Sequence, residues 1–250
     1  MESPPLHRLL KSLGRVQHHL HTAIVGLAAV EAGAGKPPDL DITWKPTDTV
    51  GSAREARRFL LRPTLVFASE ELKAYATSVL RFRDETIPSE RAERIRRLGH
   101  VEPGYLGVAP LLVSHWRNRI IHGAGAGRLT AAEQSLLTNA KGEIAEKFAH
   151  LEVERLLKDF EAERPTLKEV TVLLAMSVRF VRLVDASLPE ASSGADVRRW
   201  LEASDLLDTV LRLERESMTP GNAEPRRRAA RFLSTEAPSL TEAYNRYGAV

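Results

Sequence analysis

Apolar residues recur every three or four positions along most of this chain, and that spacing is typical of amphipathic helices. The first example covers residues 6–32 and places leucine, valine and isoleucine side chains on one helical face. Further helices are predicted from Ser52 to the interruption at Pro63, and over 65–83, 106–121, 130–163, 167–187, 195–216 and a short stretch after 226. Residues 89–98 are predicted to form a short charged helix. No segment alternates apolar and polar residues over the length that a strand requires. The fold class expected from this pattern is all-α.

Glycine, proline and capping residues set the expected ends of these helices. Residues 33–50 are rich in glycine and proline and are predicted to form a loop, and a linker is predicted at 219–225. Pro63 is expected to break or kink the second helix, because proline cannot donate the backbone hydrogen bond that continues a helix. Three pairs have the spacing of a capping box, in which two side chains bond the first helical turn: Ser52 with Glu55, Thr130 with Glu133, and Thr166 with Glu169.

Composition indicates a globular protein and narrows its chemistry. The chain has 250 residues, 43% of them hydrophobic and 28% charged, enough for one large domain or one domain with a helical appendage. It contains no cysteine, which excludes disulfides, thiolate metal sites and a cysteine nucleophile. The net charge of +3 permits nucleic-acid binding without indicating it. Because neither a membrane span nor a signal peptide is recognisable, we expect a cytoplasmic location and no membrane partner.

The segment 111–123, LLVSHWRNRIIHG, combines apolar residues with two histidines, an asparagine and two arginines. Its apolar content predicts a largely buried helix, in which polar groups cost stability unless they are hydrogen-bonded. His115, Asn118 and His122 are separated by three and then four positions, so they share one helical face. Two interpretations stay open at this point: a functional site, or a polar network within the core.

Residues 117–122, RNRIIH, match the R-x-x-x-x-H pattern of the HEPN superfamily, and the following Gly123 adds to the likeness. The motif lies near the end of a predicted helix, as it does in that family, whose members include metal-independent endoribonucleases of bacterial toxin–antitoxin and other defence systems. The resemblance implies a HEPN-type helical bundle over residues 1–190, with additional C-terminal helices forming an extension over 191–250. It also implies a homodimer, in which two copies of the motif face each other across one cleft.

The resemblance assigns catalytic roles to Arg117, Asn118 and His122. RNA is cleaved when its 2′-hydroxyl attacks the adjacent phosphate, which requires a proton shuttle and a group that stabilises negative charge. Histidine titrates near neutral pH and suits the first role, whereas the arginine fork suits the second. Asn118 is expected to orient His122 or to bond the phosphate. No metal or other cofactor is expected, and the expected products are a 2′,3′-cyclic phosphate and a 5′-hydroxyl.

Four further residues are candidates for contacting the substrate: His115, Trp116, Arg119 and Glu71. Trp116 has the chemistry to stack on a base, although a tryptophan among apolar neighbours also fits a core or a dimer interface. Glu71 offers a further polar group, with an exposed helix face as the alternative interpretation. The expected partners are RNA, a second copy of the chain, and an antitoxin or other defence-system protein.

Two other functions are compatible with the sequence. One is a catalytically inactive HEPN-like module that binds RNA, a nucleotide or a protein. The other is an unrelated helical interaction protein, in which RNRIIHG forms a core network. One geometric difficulty bears on the enzyme hypothesis, because positions 117 and 122 are five apart, about 140° around a helix. Only a long arginine side chain, or residues from opposite protomers, would bring the two groups together.

Overall fold

The computed structural model describes residues 2–99, 104–123, 125–217 and 226–248, so the linker predicted at 219–225 lies outside it. All regular structure within these ranges is helical, which confirms the all-α prediction. The helices are α1 (Pro4–Glu31), α2 (Thr49–Phe82), α3 (Arg91–Arg97), α4 (Val108–His122), α5 (Ala131–Asn139), α6 (Lys141–Lys147), α7 (Val153–Glu161), α8 (Leu167–Ala186), α9 (Gly194–Ala203), α10 (Leu207–Ser217), α11 (Arg227–Glu236) and α12 (Pro238–Tyr247). None of these described helices has the length and apolar character needed to cross a membrane.

The start of α2 differs from the prediction. The helix begins at Thr49, and the Asp48 carboxylate accepts a hydrogen bond from the Gly51 backbone N–H at 2.9 Å. Ser52 therefore lies inside the helix, and the helix start predicted from Ser52 and Glu55 is wrong. Asp48 takes the capping role because it stands directly before the first turn, where a negative charge also complements the positive end of the helix dipole.

α2 continues through Pro63, so the prediction that the helix breaks at this proline is wrong. Proline removes one backbone hydrogen bond from the helix. The side chains of Leu61 and Leu65, on either side, are 2% and 0% exposed, and their burial offsets that loss. The Thr64 hydroxyl adds a local bond by donating to the Leu60 carbonyl at 2.8 Å.

Two helices predicted as continuous are each interrupted. Residues 130–163 form α5, α6 and α7, with a turn at Ala149 and His150, whose φ angles are +52° and +55°. Residues 195–216 form α9 and α10, with a turn at Asp205, whose φ angle is +56°. A left-handed residue ends a helix, and glycine is its usual sequence signal. The three residues that adopt this conformation here are not glycines, which is why the pattern did not reveal the turns.

The chain divides into two compact units, each a bundle of helices. The first unit comprises Met1–Ser12, Glu70–Gly107 and Ser177–Val250, and the second unit comprises Leu13–Ser69 and Val108–Met176. The division of the chain at residue 190, which the family resemblance implies, stays a prediction.

One apolar cluster of the first unit contains Phe82 and Trp200, whose rings stack with their centroids 3.6 Å apart. The last four helices, α9 to α12, contribute buried side chains to the same cluster, among them Val197, Leu201, Val210, Leu233 and Tyr244. These helices therefore share one apolar core with the end of α2.

The second unit contains the RNRIIH motif, on α4. Residues 108–116 of this helix are all buried. The indole of Trp116 meets the ring of Phe160 on α7 edge-on, with centroids 5.4 Å apart. Fully buried side chains also come from α2, α5, α6, α7 and α8, including Leu65, Leu137, Ile144, Leu156 and Val170. α4 is thus a core helix of this unit.

Candidate functional site

The motif lies where α4 emerges from the core of the second unit. Arg117 and Asn118 are partly exposed, and Ile121 and His122 are exposed, whereas the preceding nine residues are buried. The helix ends before Gly123, whose φ angle is +88°. The prediction that this glycine follows the end of the helix is therefore confirmed. The buried part of α4 therefore fixes the position of a solvent-accessible polar end.

Arg117 and His122 contact each other directly. The Arg117 Nη1 atom lies 3.1 Å from His122 Nε2 and 3.4 Å from Asn118 Oδ1. Because a guanidinium carries only donors, a hydrogen bond between these two atoms requires Nε2 to be the acceptor. The length of the arginine side chain bridges the separation around the helix within one protomer, and all three residues assigned catalytic roles are brought together.

Arg119 has a different environment from Arg117, being only 4% exposed. Its Nη1 donates to the Phe160 carbonyl at 3.0 Å, and its Nη2 donates to both carboxylate oxygens of Glu161, at 3.0 and 3.1 Å. Its Nε donates to the Gly127 carbonyl at 3.3 Å, and the guanidinium lies 4.0 Å from the centroid of the Phe160 ring. These contacts tie the end of α4 to α7 and to the following loop.

His115 and Trp116 are buried, at 5% and 1% exposure. The Trp116 indole packs on Phe160, which is the core arrangement that the sequence left open as one interpretation. His115 lies beside the backbone of Gly127, where an added Cβ atom would come within 2.7 Å of the imidazole Nδ1. Of the three residues predicted to share a face, His115 faces the core, Asn118 is partly exposed and His122 is exposed.

Glu71 is half-buried on α2 and belongs to the first unit, whereas the motif belongs to the second.

The residues that the sequence did not single out are Phe160 and Glu161, which bind Arg119. They lie 41 and 42 positions after that arginine, and no local spacing connects them to it. Phe160 carries one signal, because it falls on the apolar face of α7 with Val153 and Leu156.

The described residues contain no group of three or more histidine, aspartate or glutamate side chains arranged to hold a metal ion. The chemistry that the site itself offers is a histidine nitrogen acceptor, a guanidinium and an amide within one short, exposed stretch of helix. Comparison of the chain with protein-family models, with curated proteins and with solved structures finds no match.

Proposed function

We propose that this chain is a metal-independent endoribonuclease of the HEPN type, cleaving RNA by attack of a 2′-hydroxyl on the adjacent phosphate. The observation that carries the proposal is the 3.1 Å contact between Arg117 Nη1 and His122 Nε2 at the exposed end of a buried helix. It combines a proton acceptor with a permanent positive charge, the two groups that this reaction requires.

Each group has a defined part in the reaction. His122 Nε2 accepts the proton of the 2′-hydroxyl, whose oxygen then bonds to phosphorus. Arg117 donates to the non-bridging phosphate oxygens and stabilises the charge that grows on them. The bond to the 5′-oxygen breaks, and a protonated histidine returns a proton to that oxygen. The products are a 2′,3′-cyclic phosphate and a 5′-hydroxyl.

The contact with Arg117 involves His122 Nε2, the nitrogen that the proposed reaction needs as its base. A bound phosphate offers Arg117 a charged acceptor, which is a stronger hydrogen-bond partner than a neutral imidazole. Substrate binding would thus release Nε2 for the 2′-hydroxyl. Asn118 would hold the arginine through its amide oxygen, which lies 3.4 Å from Nη1.

The proposal includes a homodimer, because one histidine cannot act as base and acid in the same step. A second copy of the motif would supply the acid. Ile121, 51% exposed and adjacent to His122, gives such a partner an apolar surface to contact. A cytoplasmic role in a bacterial defence or toxin–antitoxin system, with a partner protein that restrains the activity, belongs to the same proposal.

Cleavage of a mixed RNA pool in EDTA tests the proposal, with wild type, His122→Ala and His21→Ala compared in parallel. His21 is an exposed histidine on α1 and serves as the matched control. We expect wild type and His21→Ala to leave cyclic phosphate ends, and His122→Ala to leave the RNA intact. RNA binding without turnover by a folded wild-type chain would instead favour the inactive RNA-binding module.

A further inference from the structure

A groove of about 650 Å³ opens on the second unit, and none of the residues that line it belongs to the RNRIIH motif. It is lined by Arg58, Phe59 and Arg62 of α2, Arg155 and Asp159 of α7, and Arg164 in the turn before α8. A volume of this size is typical of pockets that hold a small molecule or one segment of a larger ligand. Four guanidinium groups and an aromatic ring therefore surround one cleft.

Three of these arginines have no partner in the part of the chain that the structure describes. Within the described residues, the side chains of Arg58, Arg62 and Arg164 make no hydrogen bond or ion pair. Arg57, next to Arg58, shows the contrast, because it pairs with Glu31 at 3.2 Å. Arg58 and Arg62 are also four positions apart on one helix, an arrangement in which like charges repel. An anionic ligand between them would remove that repulsion.

The groove contains carboxylates, but they do not cancel its positive charge. Asp159 lies 3.5 Å from Arg155 Nε and neutralises that one arginine. Glu163 also lines the groove, which leaves two arginines in excess over the two acids. Arg164 is placed by the turn that ends α7, where its backbone N–H donates to the Asp159 carbonyl at 3.0 Å and Pro165 follows. The turn therefore fixes the backbone position of Arg164, one of the arginines that supply the excess positive charge.

Phe59 adds an aromatic surface beside these charges. Its side chain is 70% exposed, although it stands between Arg58 and Leu60 on a helix with a buried face. Exposed aromatic rings next to a basic groove are typical of proteins that bind single-stranded nucleic acid, because every base has a face that stacks on such a ring. In such proteins guanidinium groups bind the phosphates while the ring stacks on a base.

We infer that this groove binds single-stranded RNA, with Arg58, Arg62 and Arg164 on successive phosphates and Phe59 stacked on one base. This inference rests on the proposed function, for which the groove holds the substrate strand outside the cleavage site. α7 connects the two features, because it presents Arg155 to the groove and its Phe160 and Glu161 to Arg119 of α4.

Binding is measured on the full chain carrying His122→Ala, so that RNA is not consumed, using fluorescence anisotropy of a labelled single-stranded uridine oligonucleotide. In this background the groove variants are Arg58→Ala with Arg62→Ala, and Phe59→Ala. The matched control is Arg198→Ala with Arg212→Ala, which removes the same charge from exposed arginines that are each paired with a glutamate. Circular dichroism verifies that every variant is folded.

We expect the double arginine variant to bind at least tenfold more weakly and to lose about 1.4 from the slope of log K against log salt, since each single-strand phosphate contact contributes about 0.7. Phe59→Ala is expected to weaken binding roughly tenfold, within the range for loss of one stacked base. The control pair is expected to bind like the parent. Uridine monophosphate is expected to compete poorly, because it offers one phosphate to a groove that binds several.

Unchanged affinity and salt slope in folded groove variants would overturn the inference, as would competition by the mononucleotide at concentrations comparable to the oligonucleotide. The outcome is separable from the proposed function. Cleavage by wild type with RNA affinity unchanged in the groove variants would leave the enzyme intact and refute the groove. Groove-dependent binding by a wild type that does not cleave RNA would support the groove and refute the enzyme.

Discussion

Arg119 on α4 donates from one guanidinium nitrogen to both carboxylate oxygens of Glu161 on α7, at 3.0 and 3.1 Å. The arginine side chain is 3% exposed and the glutamate side chain 65% exposed, so the pair is buried only at the arginine. The same guanidinium also reaches the Phe160 and Gly127 carbonyls. One side chain thus holds three segments of the second unit together, two positions from Arg117.

Replacing Arg119 by alanine is expected to lower the free energy of unfolding by about 2–4 kcal/mol, because two carbonyls lose their donor and a buried space is left. Glu161→Ala is expected to cost less than about 1 kcal/mol, since the carboxylate is largely solvated and Arg119 keeps its other partners. Urea denaturation of both variants checks the difference. Equal losses would contradict the structural role assigned to Arg119.

Gly127→Ala is expected to destabilise the chain by roughly 2–4 kcal/mol. Its φ is +84°, and an added Cβ would come within 2.7 Å of His115 Nδ1 and 3.2 Å of His115 Cα. Gly125→Ala is the matched control, with a φ of +91° and nothing within 4 Å of the added atom, so only the backbone strain of about 1–2 kcal/mol is expected. Melting temperatures that fall equally would show that His115 yields to the new methyl group.

Hydrogen bonds within one helical turn could be predicted from the sequence, whereas contacts between residues far apart in sequence could not. The capping boxes of Thr130 with Glu133 and of Thr166 with Glu169 are confirmed, because each involves four consecutive residues whose side chains bond one helical turn. The end of α4 at Gly123 is confirmed for the same reason. The helix start predicted at Ser52 is wrong because Asp48 caps the same end of α2, and the sequence pattern does not rank two neighbouring capping residues.

The candidate site divides in the same way. The motif itself is visible as a spacing, and so is the possibility that Arg117 reaches His122. Whether it does depends on side-chain conformation, which spacing does not determine. The anchoring of Arg119 by Phe160 and Glu161, and the approach of α2 to α7 around the arginine groove, bring together residues far apart in sequence. Such contacts are set by the packing of whole helices.

The stability of the chain is expected to depend on pH through Glu169. Burial raises the pKa of this carboxyl to about 7, and the nearby Asp159 acts in the same direction, while hydrogen bonds from Thr166 oppose the shift. In the unfolded chain the same group loses its proton near its ordinary pKa of 4.5. Between these values the folded state binds more protons, so the free energy of unfolding falls as pH rises, by roughly 3 kcal/mol at most, and levels off above about pH 7.

Urea denaturation of wild type and Glu169→Gln, at about pH 5 and about pH 8, checks this expectation. Glutamine keeps an oxygen that accepts the Thr166 N–H and does not titrate, so the variant is expected to lose less stability than wild type between the two conditions. The comparison between variants removes the contributions of other titrating groups. The same loss in both proteins would show that Glu169 is ionised in the folded state throughout this range.

If Arg117 and His122 form one ribonuclease centre, removing either group must slow cleavage. The most direct test is the cleavage rate of a single labelled RNA in EDTA, measured for wild type, Arg117→Ala, His122→Ala and the double variant. Each single substitution is expected to slow cleavage by about 100-fold or more. The double variant is expected to be no slower than the slower single variant, because groups that act as a unit are not additive. Wild-type rates in folded Arg117→Ala and His122→Ala would contradict the claim.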